Sequence, residues 1–182
     1  MRVIGVDPGS AVTGYGVVEG NAGKFRCIDS GTIRTRHQDS APVRLRTIFE
    51  RLTGLLEEHI PDAISLERSF LAENVQSAFR LGEARAMVLL AAAQHNLPLF
   101  EYAPTNVKLT VAAYGRADKA QVKFMVRRAL GIDDSVEMAD DAADALALAL
   151  CHLTMARMPA VLAATDGRAA RSWRRPARRN SS

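Results

Sequence analysis

The order of its apolar segments constrains this 182-residue chain more than any single motif does. Arg2-Val-Ile-Gly-Val-Asp7 is a short apolar run halted by Pro8-Gly9-Ser10, the pattern of a buried strand entering a turn. Residues 14–19 and 24–34 predict two further strands, and Gly20-Asn21-Ala22-Gly23 predicts a hairpin turn between them. From there the pattern alternates. Ser40 with Pro42 behind it opens a helix whose Leu45, Ile48, Leu52, Leu55 and Leu56 share a face, and Pro61 closes it. A strand over 62–67, an alanine-rich helix over 74–95 and a short strand over 97–102 follow. A brief helix over 104–111, a helix capped by Asp118 and Gln121 and ended by Gly131, and a last helix over 140–157 complete the pattern.

Three hairpin-linked strands followed by helix–strand–helix–strand make an α/β fold, a mixed five-stranded sheet flanked by helices. With 48% hydrophobic and 24% charged residues, the chain has the balance of a folded domain rather than a disordered one. Its length suits one domain, expected over residues 1–158. Residues 159–182 read differently. From Ala160 onward there are six arginines and one acid, Asp166, whereas the first 159 residues hold 18 of the 24 basic and 19 of the 20 acidic groups. A basic, flexible tail is therefore expected, of a kind that suits a polyanion. The longest apolar run, residues 86–93, is far short of the ~20 residues a membrane span needs. Asp7 and Pro8 interrupt any early signal-like stretch, so a cytoplasmic protein with no membrane partner is expected. Cys27 and Cys151 lack metal-site or disulfide-framework spacing and read as small buried hydrophobes.

The acids carry the chemistry. Asp7 ends the first strand and Glu67 the fourth, so adjacent parallel strands would bring both to one sheet edge. Asp141 and Asp144 are three apart at the start of the last helix and share a face, but Asp140 and Asp144, four apart, do so equally. Each acid alone has an ordinary explanation in a turn, a strand end or a helix's first turn. Together they do not. Two carboxylates ~4 Å apart repel by about 4 kcal/mol at an effective dielectric of 20. A cluster of four persists only if it shares protons or binds cations. All-oxygen ligands select hard ions such as Mg²⁺ or Mn²⁺, and a pair of these beside a phosphodiester is the two-metal arrangement of nucleases.

Asp7-Pro-Gly-Ser-Ala-Val-Thr-Gly-Tyr-Gly-Val17, Glu67-Arg-Ser-Phe70 and Asp141-Ala-Ala-Asp-Ala-Leu146 resemble, in order and spacing, the RuvC-type Holliday-junction resolvases. The resemblance covers residues 2–157 and implies a ribonuclease-H-like fold, a homodimer, and paired symmetric nicks across a four-way DNA junction in recombination and repair. It implies that Asp7, Glu67, Asp141 and Asp144 are the catalytic metal ligands, and it favours Asp141 over Asp140. Two Mg²⁺ per subunit are implied, with Mn²⁺ able to substitute. A branch-migration helicase complex of the RuvA/RuvB type is implied as partner. The tail has no counterpart in the family pattern.

The same resemblance gives Phe70 a stacking role on an unpaired base, against core packing as the ordinary fate of a phenylalanine. Lys108 and Lys119 match basic positions near the scissile strand. Lys119, Lys123 and Arg127 form a stripe that is either a solvated face or a phosphate track. Arg80 and Arg85 are open to the same two readings. Gly82-Glu-Ala-Arg-Ala86 resembles the family's dimer helix, with packing against the sheet as the alternative; the glycine suggests close packing either way. The four histidines lack ligand spacing. Three other functions compete: a non-cleaving, structure-selective DNA-binding module, a ribonuclease-H-like nuclease acting on another nucleic acid, and a sugar-kinase or actin-like ATPase. The last needs a second domain for which 182 residues leave no room.

Overall fold

The structure, a computed structural model, describes residues 1–21, 23–68 and 75–156. Strands β1 (Arg2–Asp7), β2 (Val12–Asn21) and β3 (Lys24–Arg34) lead into helix α1 (Ala41–His59) and strand β4 (Ala63–Glu67). Helix α2 (Val75–Gln94), strand β5 (Leu99–Tyr102) and helices α3 (Pro104–Ala112), α4 (Lys119–Leu130) and α5 (Asp140–Met155) follow. The sheet order is β3-β2-β1-β4-β5. The β1–β2 and β2–β3 pairs are antiparallel, while β4 runs parallel to both β1 and β5.

Alternation along the central strands sorts the core into two layers. Val3 of β1 faces α3, α4 and α5, whereas Ile4 and Val6 face α1 and α2 with Ile64 and Leu66 of β4. Helix α5 is buried almost all round, as its near-continuous apolar sequence requires. It reaches the sheet because three strand positions, Gly5, Gly14 and Gly16, carry no side chain. A Cβ on Gly5 would stand 1.9 Å from Ala145 O, and one on Gly14 would stand 2.0 Å from Asp141 O. The Ser65 hydroxyl, buried on β4, donates to Leu148 O at 2.8 Å and pins the helix from below.

Where element ends differ from the sequence reading, backbone bonding explains the shift. β2 runs past its apolar stretch because its ladder with β3 extends from Val12↔Arg34 to Asn21↔Lys24. β5 starts at Leu99 because Asn96 turns left-handed (φ 53°) and the Leu97 N–H is spent on Ala92 O at 2.9 Å. The expected capping box is present: Asp118 Oδ1 accepts from Gln121 N at 2.8 Å, and Gln121 Oε1 accepts from Asp118 N at 3.1 Å. Gly82 does not pack against the sheet. It meets nothing within 4 Å, because Ala84, Val88, Ala91 and Ala92 form the packed face of α2 and Gly82 points away from it. Cys151 is buried and Cys27 half-buried, and burial pushes both thiols above their usual range. No helix among the described residues is long and apolar enough to cross a membrane. The region expected as a basic tail, 159–182, lies outside the described residues.

Because the α5 backbone occupies the space of the missing side chain, Gly5→Ala should lower stability by about 2–3 kcal/mol through overpacking. Urea denaturation checks this, and an unchanged midpoint would mean that the helix does not lie so close.

Candidate catalytic site

Strand parity puts the first two acids together. On β1 the odd-numbered residues Val3, Gly5 and Asp7 face α5, and on β4 so do Ala63, Ser65 and Glu67. Parallel pairing of Val6 with Leu66 makes Asp7 and Glu67 neighbours one step further along. Gly14, opposite Asp7 on β2, lets the first turn of α5 settle onto the same edge, bringing Asp141 and Asp144 in from above. Behind Asp7, the buried Thr13 hydroxyl donates to Gly9 O at 2.8 Å and accepts from Gly9 N at 3.2 Å, tying down the Pro8–Gly9 turn.

The electrostatics follow from that convergence. Burial, then the charges of Asp144, Glu67 and Asp141, push the Asp7 carboxyl up to about 7 from the usual 3.8, with Lys119 partly opposing. Glu67 is raised chiefly by burial and then by Asp144, against the pull of Lys119 and Lys108. Lys119 Nζ stands 3.2 Å from Asp144 Oδ2, and its own pKa is raised by that carboxylate. Asp140 belongs elsewhere. Its side chain is 72% exposed, lies 2.7 Å from Lys123 Nζ, and is held below the usual carboxylate range by that ammonium. Asp141, not Asp140, is the neighbour whose charge reaches Asp7.

An all-oxygen, negatively charged, half-buried donor set fits a hard divalent cation. Among the described residues, no three such groups already converge tightly enough to grip one. Lys108 sits half-buried on α3, close enough to lower Glu67. Phe70 lies outside the described residues.

Two arginines open to a phosphate reading part company here. Arg85 turns inward: its Nη1 donates to Glu67 O at 2.8 Å, and its Nη2 pairs with Glu101 on β5. The β1–β4 ladder ends at Leu66, leaving that carbonyl beyond the pairing on the β1 side. Arg85 holds the end of the strand that carries Glu67. Its place between buried Ala84 and Val88 on α2 was the sequence signal for an inward role. Arg127 of the basic stripe is likewise occupied, donating to Asp133 O and Val136 O at 2.6 Å each. His152 is a core residue, its Nδ1 2.7 Å from the Tyr102 hydroxyl, and burial lowers its pKa to about 4.

A profile of the crossover junction endodeoxyribonuclease RuvC family matches residues 3–152. The chain is 42% identical to the crossover junction endodeoxyribonuclease RuvC of Trichlorobacter lovleyi over 96% of its own length and 98% of the relative's. It is 45% identical to that of Chloroflexus aggregans over 84% of this chain and 92% of the other. Among solved structures, Thermus thermophilus RuvC in complex with a Holliday junction substrate superposes with a TM-score of 0.82 at 36% identity, covering 87% of this chain and 96% of that one. The yeast mitochondrial Holliday junction resolvase shares the ribonuclease-H-like fold, with a TM-score of 0.60 at 18% identity over 84% of this chain and 78% of the other.

A raised Asp7 pKa makes a stability prediction. Unfolded, Asp7 ionises near pH 4; folded, near pH 7, so stability without cations falls as pH rises between these values and stays lowered above them. The penalty is on the order of 2–4 kcal/mol. In chelator, Asp7→Asn should therefore be more stable than wild type at pH 8 and nearly equal to it at pH 4. Added Mg²⁺ should narrow the gap by stabilising wild type alone. Urea midpoints across pH test this, and equal midpoints at pH 8 would contradict it.

Proposed function

The chain belongs to the RuvC family of crossover junction endodeoxyribonucleases, and on that premise we propose that it resolves four-way DNA junctions by paired symmetric nicks, with Asp7, Glu67, Asp141 and Asp144 holding two divalent cations. Mg²⁺ is the proposed ion, with Mn²⁺ able to replace it. The observation that carries this reading is the convergence of the four acids on one sheet edge, where Asp7 is pushed up to about 7 by its neighbours and its burial.

When bound, such ions supply Lewis acidity toward water and the scissile phosphate. The chain's own residues do the rest. Asp7 lies between Glu67 on the adjacent strand and the α5 acids, and would hold the cations together with them. Burial and the neighbouring carboxylates favour a proton on Asp7, and a bound cation would supply the neutralising charge instead. Lys119, beside Asp144, would meet a phosphate oxygen, and Lys108 would do so from α3 beside Glu67. Phe70, three residues past Glu67, stacks on a base at the crossover in this reading.

Helix α2 supports the proposed homodimer. Val75, Phe79, Gly82, Ala86, Leu90 and Ala93 recur at spacings of three and four on its exposed side, and Phe79 is 70% exposed. A second copy of the same stripe would cover it, with Gly82 and Ala86 allowing close approach. Two sites then face the two strands of a symmetric junction. Residues 1–158 form the catalytic unit in this proposal, and the arginines of 159–182 add affinity for DNA of any form. A RuvA/RuvB-type motor is the proposed partner on family membership alone, and the cytoplasm the proposed location.

The test is nicking of a mobile four-way junction, a matched linear duplex and an RNA–DNA hybrid, with Mg²⁺, Mn²⁺ or chelator. Metal-dependent paired nicks confined to the junction are expected. Asp7→Asn and Asp141→Asn should lower the rate at least 100-fold while keeping junction binding, with Asp140→Asn within a few-fold of wild type. Hybrid cleavage alone would discard the substrate, and loss at Asp140 rather than Asp141 would reverse that assignment.

Burying a charge in the α2 stripe should separate the subunits. Ala86→Arg is expected to convert the dimer to a monomer in sedimentation without lowering its melting temperature, since Ala86 is exposed within one chain. A variant that remains dimeric would place the interface elsewhere.

A further inference from the structure

The four acids repel the phosphates they must approach, so the edge needs cations beside them. Lys108 and Lys119 supply these on the α3 and α4 side. On the other side, the end of β3, the loop after it and the start of α1 carry Arg34, Arg36, Arg44 and Arg46 within thirteen residues. Arg34 and Arg36 are exposed, and Arg44 is half-buried in the first turn of α1 with its Nε sealed from water and lacking a hydrogen-bond partner. Among the described residues, no carboxylate pairs with Arg34, Arg36 or Arg44, while Arg46 reaches only the exposed Glu50 at 3.8 Å.

This lobe is fastened to the catalytic edge. Thr35 N donates to Ala11 O at 3.0 Å, and the Thr35 hydroxyl donates to Ser10 O at 2.8 Å, binding the loop to the turn that leaves Asp7. Asp39 N then closes a turn onto Arg36 O at 3.0 Å, which folds Arg36 back toward α1. In the sheet order, the end of β3 lies two strands to one side of β1, and the end of β5, leading into α3, two strands to the other. At roughly 4.8 Å per strand, the end of β3 lies about 10 Å from Asp7, on the side away from Lys108 and Lys119.

We propose that the β3–α1 lobe is a second phosphate-binding surface, which holds the duplex arm of the junction that leaves the acid cluster away from Lys108 and Lys119. Duplex DNA carries one charge per ~1.7 Å of axis, so an arm crossing this edge presents several phosphates to the lobe at once. Unpaired guanidiniums are suited to them as bidentate donors, and their mutual repulsion is relieved only by an anion. The proposal rests on the resolvase reading and adds to it where an arm lies.

The test compares wild type with Arg34→Gln/Arg36→Gln, two exposed positions whose replacement leaves the core untouched. Binding to a four-way junction is measured in chelator across a salt series, and nicking with Mg²⁺. The double variant should bind about tenfold more weakly near physiological salt, and the slope of log affinity against log salt should fall by about one per arginine removed. Nick positions and the rate at saturating enzyme should not change. On a junction whose arms are trimmed to the crossover-proximal pairs, the two proteins should bind alike. Equal binding to the full junction overturns the proposal, as does a loss that persists on trimmed arms, which would put these arginines at the crossover. Wild type that neither binds nor nicks the junction would remove the resolvase reading itself, and the lobe with it.

Discussion

The catalytic edge depends on how closely helix α5 lies against β1 and β2. The helix backbone sits where side chains of Gly5 and Gly14 would stand, with Ala145 O and Asp141 O about 2 Å from the Cβ positions those residues lack. That contact sets the height of the first turn of α5 over the sheet, and hence the separation of Asp141 and Asp144 from Asp7. The alanines at 142, 143, 145, 147 and 149, all buried, serve the same end, since larger side chains would lift the helix. Strand glycines and an alanine-rich helix therefore shape the acid-bearing edge, though none of them bears a functional group.

Such proximity works against the fold. Acids raised by one another and by burial destabilise the cation-free protein above neutral pH, and the apolar layers on both faces of the sheet must offset this. The arrangement is a site strained by like charge and held by its scaffold, which is why neutralising Asp7 is expected to stabilise the chain while removing activity. Lys119 partly relieves the repulsion at Asp144, with its ammonium 3.2 Å from that carboxylate.

Helix α2 works on two sides at once. Its packed side sends Arg85 to the carbonyl of Glu67 and to Glu101, stabilising the end of β4 where the ladder to β1 has stopped. Its other side presents the apolar stripe of Phe79, Ala86 and Leu90. A partner covering that stripe would steady the helix that holds Glu67 in place, so the proposed dimer interface and the proposed metal site share one rigid element.

Much of this was legible in order and periodicity alone. The strands and helices follow from alternation, helical spacing and turn residues, because these are local preferences; the Asp118–Gln121 capping box and the buried run of α5 were readable for that reason. The motifs around Asp7, Glu67 and Asp141 pointed to the family. What spacing left open was settled by contacts between residues far apart in the chain. Asp140 and Asp141 can each share a helical face with Asp144, and the packing of α5 on the sheet leaves the first beside Lys123 and the second beside Asp7. Arg85 read as a possible phosphate contact until the fold placed it under β4, and Gly82 lies on the side of α2 away from its packed face, which spacing alone did not decide. Sequence by itself determined which elements form and which acids are available, since both depend on neighbours along the chain. Tertiary structure alone decided which acids meet and which cations flank them, because a charge acts over a few ångströms of space regardless of its separation in sequence.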